Sequence, residues 1–162
     1  MLSKLKKENK GFTIIEVMIV LAIAGLIILI VLLAVPALQR NSRNTAMKND
    51  ASAVAAGVTE YESNNGGSLP KAANAVTGGY DLCDAATCTT AKATVKVQGT
   101  TTVHIENLAT PTAANYAVGN VDVDWGFKCT GTGAGVTASS RAVAVLYSVE
   151  TSNGSAPQCI DS

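Results

Sequence analysis

The sequence predicts an α+β fold, one long N-terminal helix packed on a four-stranded antiparallel sheet. Three observations predict it. An uncharged apolar block lies early in the chain, a helical apolar stripe continues beyond it, and runs of alternating apolar residues follow the stretch Asn64-Asn65-Gly66-Gly67.

The apolar block comes first. Hydrophobic residues are 48% of the chain and charged residues only 15%, less charge than a soluble domain usually carries. The cause is the run Val17–Val35, 19 residues without a charge. A bilayer-spanning helix needs about 20 apolar residues. The 14 Leu, Ile and Val side chains of this run contribute roughly −4 to −8 kcal/mol towards insertion at about −0.3 to −0.6 kcal/mol each. A secretory signal peptide has an apolar core of only about 7–15 residues. Here the uncharged stretch continues to Gln39, and Val35-Pro36-Ala37 is a weak cleavage site. Ahead of the block, Lys4, Lys6, Lys7 and Lys10 stand against Glu8, a balance of +3 that leaves −3 for residues 12–162. A basic cluster beside a spanning segment marks its cytoplasmic side. Glu16 lies inside the apolar stretch, where an acid is costly unless paired and is a functional candidate for that reason.

The helix continues past Pro36. Met47, Ala51, Val54, Val58 and Tyr61 recur at steps of four and three, one face of a helix. Asn64-Asn65-Gly66-Gly67 supplies residues that accept the left-handed geometry of a helix end. One helix over about 12–64 would be on the order of 78 Å long. Gly25 and Pro36 are its weak points, and a kink is expected near Leu32–Pro36 because proline removes a donor and crowds the preceding turn.

Residues 66–92 carry turn formers and a close cysteine pair, and read as an irregular loop. Ala93–Gln98 and Thr102–Leu108 flank Gly99-Thr100 and read as a hairpin. Tyr116–Lys128 carries Val121, Val123, Trp125 and Phe127 in alternation, and Ala142–Glu150 carries Val143, Val145, Tyr147 and Val149. Alternation of this kind predicts a sheet with one face buried and one wet. The Met47–Tyr61 stripe is the natural cover for the buried face.

Cys83, Cys88, Cys129 and Cys159 all follow the apolar block. An even count on the translocated side predicts two disulfides in an oxidising compartment, with three pairings open. Zinc is the competing reading, but the close pair lacks the usual spacing and His104 is the single histidine. His104 alternates with Val103 and Ile105 and is expected to face solvent. Asp81, Asp84, Asp122 and Asp124 could suggest calcium; solvated loop and strand-face charges explain them better. Asn153-Gly154-Ser155 fits a glycosylation sequon. No nucleophile, histidine and acid stand in a recognisable catalytic spacing, and no glycine loop for phosphate is present. No enzyme, cofactor or metal site is expected. The acidic balance of the distal region and its few scattered aromatics offer no nucleic-acid surface.

The stretch Lys10-Gly11-Phe12-Thr13-Ile14-Ile15-Glu16, continued by Val17–Gly25, resembles the processing site of type IV prepilins, and its short leader and Phe12 resemble the type IVa subgroup. The resemblance is close over about residues 4–40 and only architectural beyond. It implies that a prepilin peptidase cuts between Gly11 and Phe12 on the cytoplasmic side and methylates the new Phe12 amine. It implies that Glu16 pairs with the Phe12 amine of a neighbouring subunit during assembly, which gives a costly buried acid a cationic partner. Gly25 and Pro36 fall in the segment that can lose helicity in related filaments. The family's helix-breaking proline stands nearer the N-terminus, where Leu33 stands here. Cys129 and Cys159 resemble the C-terminal pair that staples the variable loop of many pilins, which leaves Cys83–Cys88 as a small additional staple.

The organisation that follows is a cleaved basic leader over 1–11, a transmembrane and filament-core half of the helix over 12–38, an amphipathic half over 39–65, and a head of loop and sheet over 66–162. The implied function is a structural subunit of an extracellular type IV pilus serving adhesion, motility or DNA uptake. Its alternatives are a pseudopilin of a secretion piston and a minor pilin. The implied partners are further copies of the chain in a helical filament, the prepilin peptidase/methyltransferase, and the assembly machinery at the inner membrane. The precursor would reside in that membrane and the assembled subunit outside the cell. A bitopic protein presenting a small binding domain would need neither the Gly11–Phe12 cut nor a role for Glu16.

Overall fold

The computed structural model describes residues 11–85, 88–98, 101–106, 116–131, 133 and 135–162. The chain divides into two compact units, Met1–Gln39 and Arg40–Ser162.

Helix α1 spans Ile14–Asn64 and is assigned without interruption through Pro36. In the first unit no residue of the helix is buried within the chain. Among the described residues, 19 of the 22 exposed large apolar side chains lie between Phe12 and Leu38, far more than a soluble surface leaves open. In the second unit the helix is amphipathic as the sequence predicts. Met47, Ala51, Val54, Val58 and Tyr61 are all buried, and they form the centre of the core. The helix ends as expected: the Gly67 N–H donates to the Glu62 carbonyl at 2.8 Å and Gly66 has φ of 66°, the geometry of a glycine C-cap.

Two sheets line this core. The first is three-stranded, β1 (Ala72–Val76), β2 (Gly79–Cys83) and β3 (Ala93–Lys96), in that order and antiparallel. The second is four-stranded, β4 (Thr102–Glu106), β5 (Asn120–Cys129), β6 (Val136–Thr151) and β7 (Gly154–Asp161). Its β5–β6 and β6–β7 pairs are antiparallel, while β4 runs parallel to β5. Leu82 and Val95 enter the core from the first sheet, and Val103, Val121, Val123, Val143, Val145 and Tyr147 enter it from the second.

Three expectations are corrected. The segment read as an irregular loop contains β1 and β2, joined through Thr77-Gly78, with Gly78 at φ of 79°. Ala-Ala-Asn-Ala-Val carries little strand propensity, and its pairing comes from β2, whose Leu82 and Cys83 are buried.

The hairpin expected around Gly99-Thr100 does not form, although those two residues lie outside the described ones. β3 joins one sheet and β4 the other. Between the two strands the chain is held by Asp50, an acid on the flank of the buried helix face and only 2% exposed. Its carboxylate accepts the Gln98 N–H at 2.7 Å and the Thr101 hydroxyl at 2.5 Å. That clamp ties Gln98, after β3, and Thr101, before β4, to the helix.

The second sheet is also covered on both faces. Tyr116, Ala144 and Leu146 form a second small core on the side away from the helix stripe, and Asp122 and Asp124 are buried instead of solvated. Tyr116, just ahead of β5, packs with Leu146 of β6 and buries part of the face that alternation alone assigns to water. His104, expected to face solvent, is half-buried, with Nδ1 3.4 Å from Asp122 Oδ1.

The N-terminal end of the distal helix is tied to the β6–β7 end by three side chains. Arg43 makes a two-pronged ion pair with Glu150, at 2.8 and 2.6 Å. Asn44 exchanges two hydrogen bonds with the Glu150 backbone, donating to its carbonyl at 2.8 Å and accepting from its N–H at 2.7 Å. Arg40 reaches the Thr151 carbonyl at 3.5 Å. The Arg43 hydrogen bonds hold the Glu150 carboxyl below its ordinary pKa.

Candidate processing and assembly site

Gly11 and Phe12 precede α1, and the Phe12 side chain is 88% exposed. A Cβ built on Gly11 meets nothing within 4 Å. The chain's own packing therefore places no demand for glycine at this position, and any such demand comes from outside the chain. The same holds at Gly25, where an added Cβ also meets nothing within 4 Å.

Thr13 and Glu16 form a unit that sequence reasoning missed. The Thr13 N–H donates to Glu16 Oε2 at 2.8 Å, and the Glu16 N–H donates to Thr13 Oγ1 at 3.3 Å. This reciprocal pair is a capping box, which satisfies donors that the first helical turn leaves open. The Thr13 hydroxyl also donates to Glu16 Oε2 at 2.6 Å, and the Val17 N–H reaches the Thr13 carbonyl at 3.4 Å to begin the helix. The pattern Thr13-x-x-Glu16 ahead of an apolar run is the signal that reveals it. The acid read from sequence as waiting for a partner thus already holds one in its own chain. It also sits at the helix N-terminus, where the backbone dipoles favour a negative charge.

Helix α1 is long and apolar enough to cross a membrane, and none of its apolar window is buried in the chain. Pro36 lies inside it, one residue after the uncharged run Val17–Val35.

The four cysteines form two disulfides, Cys83–Cys88 and Cys129–Cys159. The second joins the end of β5 to β7, and the Cys129 N–H donates to Asp161 Oδ1 at 2.6 Å beside it. The four aspartates considered for calcium are dispersed: Asp81 in β2 accepts the Thr94 hydroxyl at 2.7 Å, Asp84 follows β2, and Asp122 and Asp124 lie in β5. Among the described residues no group of three or more acids, histidines or cysteines is arranged to hold a metal.

Residues 6–32 match the family model of the prokaryotic N-terminal methylation motif, the type IV prepilin signature. The match covers Gly11, Phe12, Thr13, Glu16 and Gly25. No curated protein and no solved structure matches this chain.

Proposed function

From the methylation motif at residues 6–32 and the exposed apolar half of the helix that it overlaps, we propose that this chain is the structural subunit of an extracellular type IV pilus. It is made as a membrane-inserted precursor. A prepilin peptidase cuts between Gly11 and Phe12 and methylates the Phe12 amine, and the subunits then polymerise through residues 12–38. The supporting observation is that the motif coincides with the start of a run of 19 exposed large apolar side chains between Phe12 and Leu38. Such a surface needs lipid before assembly and further copies of itself afterwards.

In this reading the Phe12 amine of a neighbouring subunit approaches the Glu16 carboxylate while Thr13 holds it at the helix start. An ion pair in an apolar filament core is stabilising only when its remaining lone pairs are hydrogen-bonded, and Thr13 meets that need from within the chain. Two disulfides suit a subunit that works outside the cell, where thiols oxidise. They favour the pilin over a pseudopilin of a secretion piston.

The test is intact mass and N-terminal sequencing of the protein in filaments sheared from the cell surface. A chain beginning at methylated Phe12 in that fraction supports the pilus subunit. A chain processed in this way but confined to the periplasm and membranes would replace it with the pseudopilin. A chain still beginning at Met1 would remove both.

A further inference from the structure

The ladder between β5 and β6 changes register at one point. Trp125 pairs with Val143 and Phe127 pairs with Ala138, so the single residue Gly126 faces residues 139–142. Gly126 has φ of 84°, in the region that glycine occupies without strain. Irregularities of this kind bend a strand and re-aim its side chains. Here they act on the only tryptophan in the chain. Val121 to Asp124 are all buried, yet Trp125, the next residue, is 36% exposed.

Trp125 forms one wall of a concavity of about 390 Å³, with Ser68, Leu69, Pro70, Lys71 and Asp84 around it. These walls are held by structure on every side. The glycine cap of α1 sets the start of the segment, and the Pro70 side chain is fully buried. The Lys71 N–H donates to the Cys83 carbonyl at 2.8 Å. The Cys83–Cys88 disulfide closes the loop that carries Asp84, which gives this small staple a task that filament assembly does not.

The lining selects a chemistry. Lys71 and Asp84 are exposed, and among the described residues neither takes part in an ion pair. A phosphate would face the Asp84 carboxylate. A purely apolar anchor would strip water from both charges and return no hydrogen bond. A neutral polyhydroxylated ring would meet all the groups: its C–H face would lie on the negative face of the indole, one hydroxyl would donate to Asp84, and another would accept from Lys71. The volume is at the lower end of the roughly 300–1,000 Å³ of small-ligand sites, room for about one ring. We propose that this concavity binds a neutral saccharide ring, stacked on Trp125 and held through its hydroxyls by Lys71 and Asp84.

The single indole makes the site its own reporter. The full chain, held in alkyl-phosphocholine micelles so that no detergent headgroup is a sugar, is titrated with the methyl pyranosides of glucose, galactose, mannose and N-acetylglucosamine. Trp125 emission is followed. At least one glycoside is expected to give a saturable change, and Asp84→Asn and Lys71→Met to weaken it about tenfold, or ~1.4 kcal/mol. Both residues are exposed, so the variants retain the fold, checked by circular dichroism. Trp125→Phe, read by saturation-transfer NMR on the sugar, is expected to weaken binding too. No saturable response to any of the four glycosides, or a response unchanged in Asp84→Asn and Lys71→Met, would overturn the site. A response to inorganic phosphate or to a leucine-rich peptide in place of the sugars would do so as well.

Discussion

Glu16 shows how much one residue changes meaning with its neighbour three positions back. Taken alone it is an acid at membrane depth with an unmet cost. With Thr13 it is half of a capping box that closes the first turn of α1. Glu16→Ala is expected to leave the precursor inserted and cleaved but to abolish filaments, read as processed subunit in membranes and none in the sheared fraction. Unchanged filament yield would reject the pairing with the Phe12 amine. Glu62 allows a second test at this scale. Burial raises its carboxyl pKa above the ordinary 4.5, so the folded state favours the protonated form. That contribution is fully present below the unfolded pKa and is lost as pH rises through the folded value. Glu62→Gln is therefore expected to raise the urea midpoint at pH 7 and to leave it unchanged at about pH 3.5. Glu150 titrates with the opposite sign, because Arg43 holds its pKa down. It does so equally in both proteins, and the comparison isolates Glu62.

At the scale of the element, the distal half of α1 is the part on which both sheets are built. Two of its residues set how. Gly57 lies where an added Cβ would run into the Val95 side chain of β3. Alanine gains roughly 0.8–1 kcal/mol over glycine in a helix interior, whereas overfilling a packed contact costs about 1–3 kcal/mol. Gly57→Ala is expected to destabilise the chain by a net ~1 kcal/mol, and a higher urea midpoint would show that Val95 moves aside without strain. Asp50→Ala removes the acceptor for both the Gln98 N–H and the Thr101 hydroxyl. Bonds to a charged group are each worth about 1.5–3 kcal/mol, so a loss of ~3 kcal/mol is expected. Asp50→Asn, which keeps one acceptor oxygen, is expected to fall between alanine and the wild type. Equal losses for the two variants would mean that charge, not the hydrogen bonds, holds the connection.

Across the whole molecule, the two disulfides differ in leverage. Cys129–Cys159 spans a sequence separation of 30 and Cys83–Cys88 one of 5. Loop-closure entropy then gives roughly 3.7 kcal/mol for the first and about 2.2 kcal/mol for the second. Replacing the Cys129–Cys159 pair by serines is expected to lower the urea midpoint more than replacing Cys83–Cys88. The Cys83–Cys88 variant is instead expected to alter the emission of Trp125, because its loop carries a wall of that concavity. The reverse order of stabilities would place strain or residual unfolded structure above chain entropy.

What the sequence determined by itself is everything governed by local pattern. The 19-residue uncharged run, the Met47–Tyr61 stripe, the Asn-Gly stop and the prepilin-like junction at Gly11–Phe12 each depend on neighbours within a few positions. The capping box was equally local and was legible in Thr13-x-x-Glu16. Tertiary structure alone decided which strands meet. β3 and β4, expected to pair as a hairpin, joined different sheets, with the buried Asp50 holding Gln98 and Thr101 between them. β4 joined β5 in parallel, and Tyr116 with Leu146 buried a face that alternation assigned to water. β2 drew a weakly strand-forming alanine segment into β1. The break in the ladder at Gly126 left Trp125 at the surface. Each of these outcomes rests on groups distant in sequence that compete for the same donors, acceptors and apolar area, and such competition leaves no period in the chain to read.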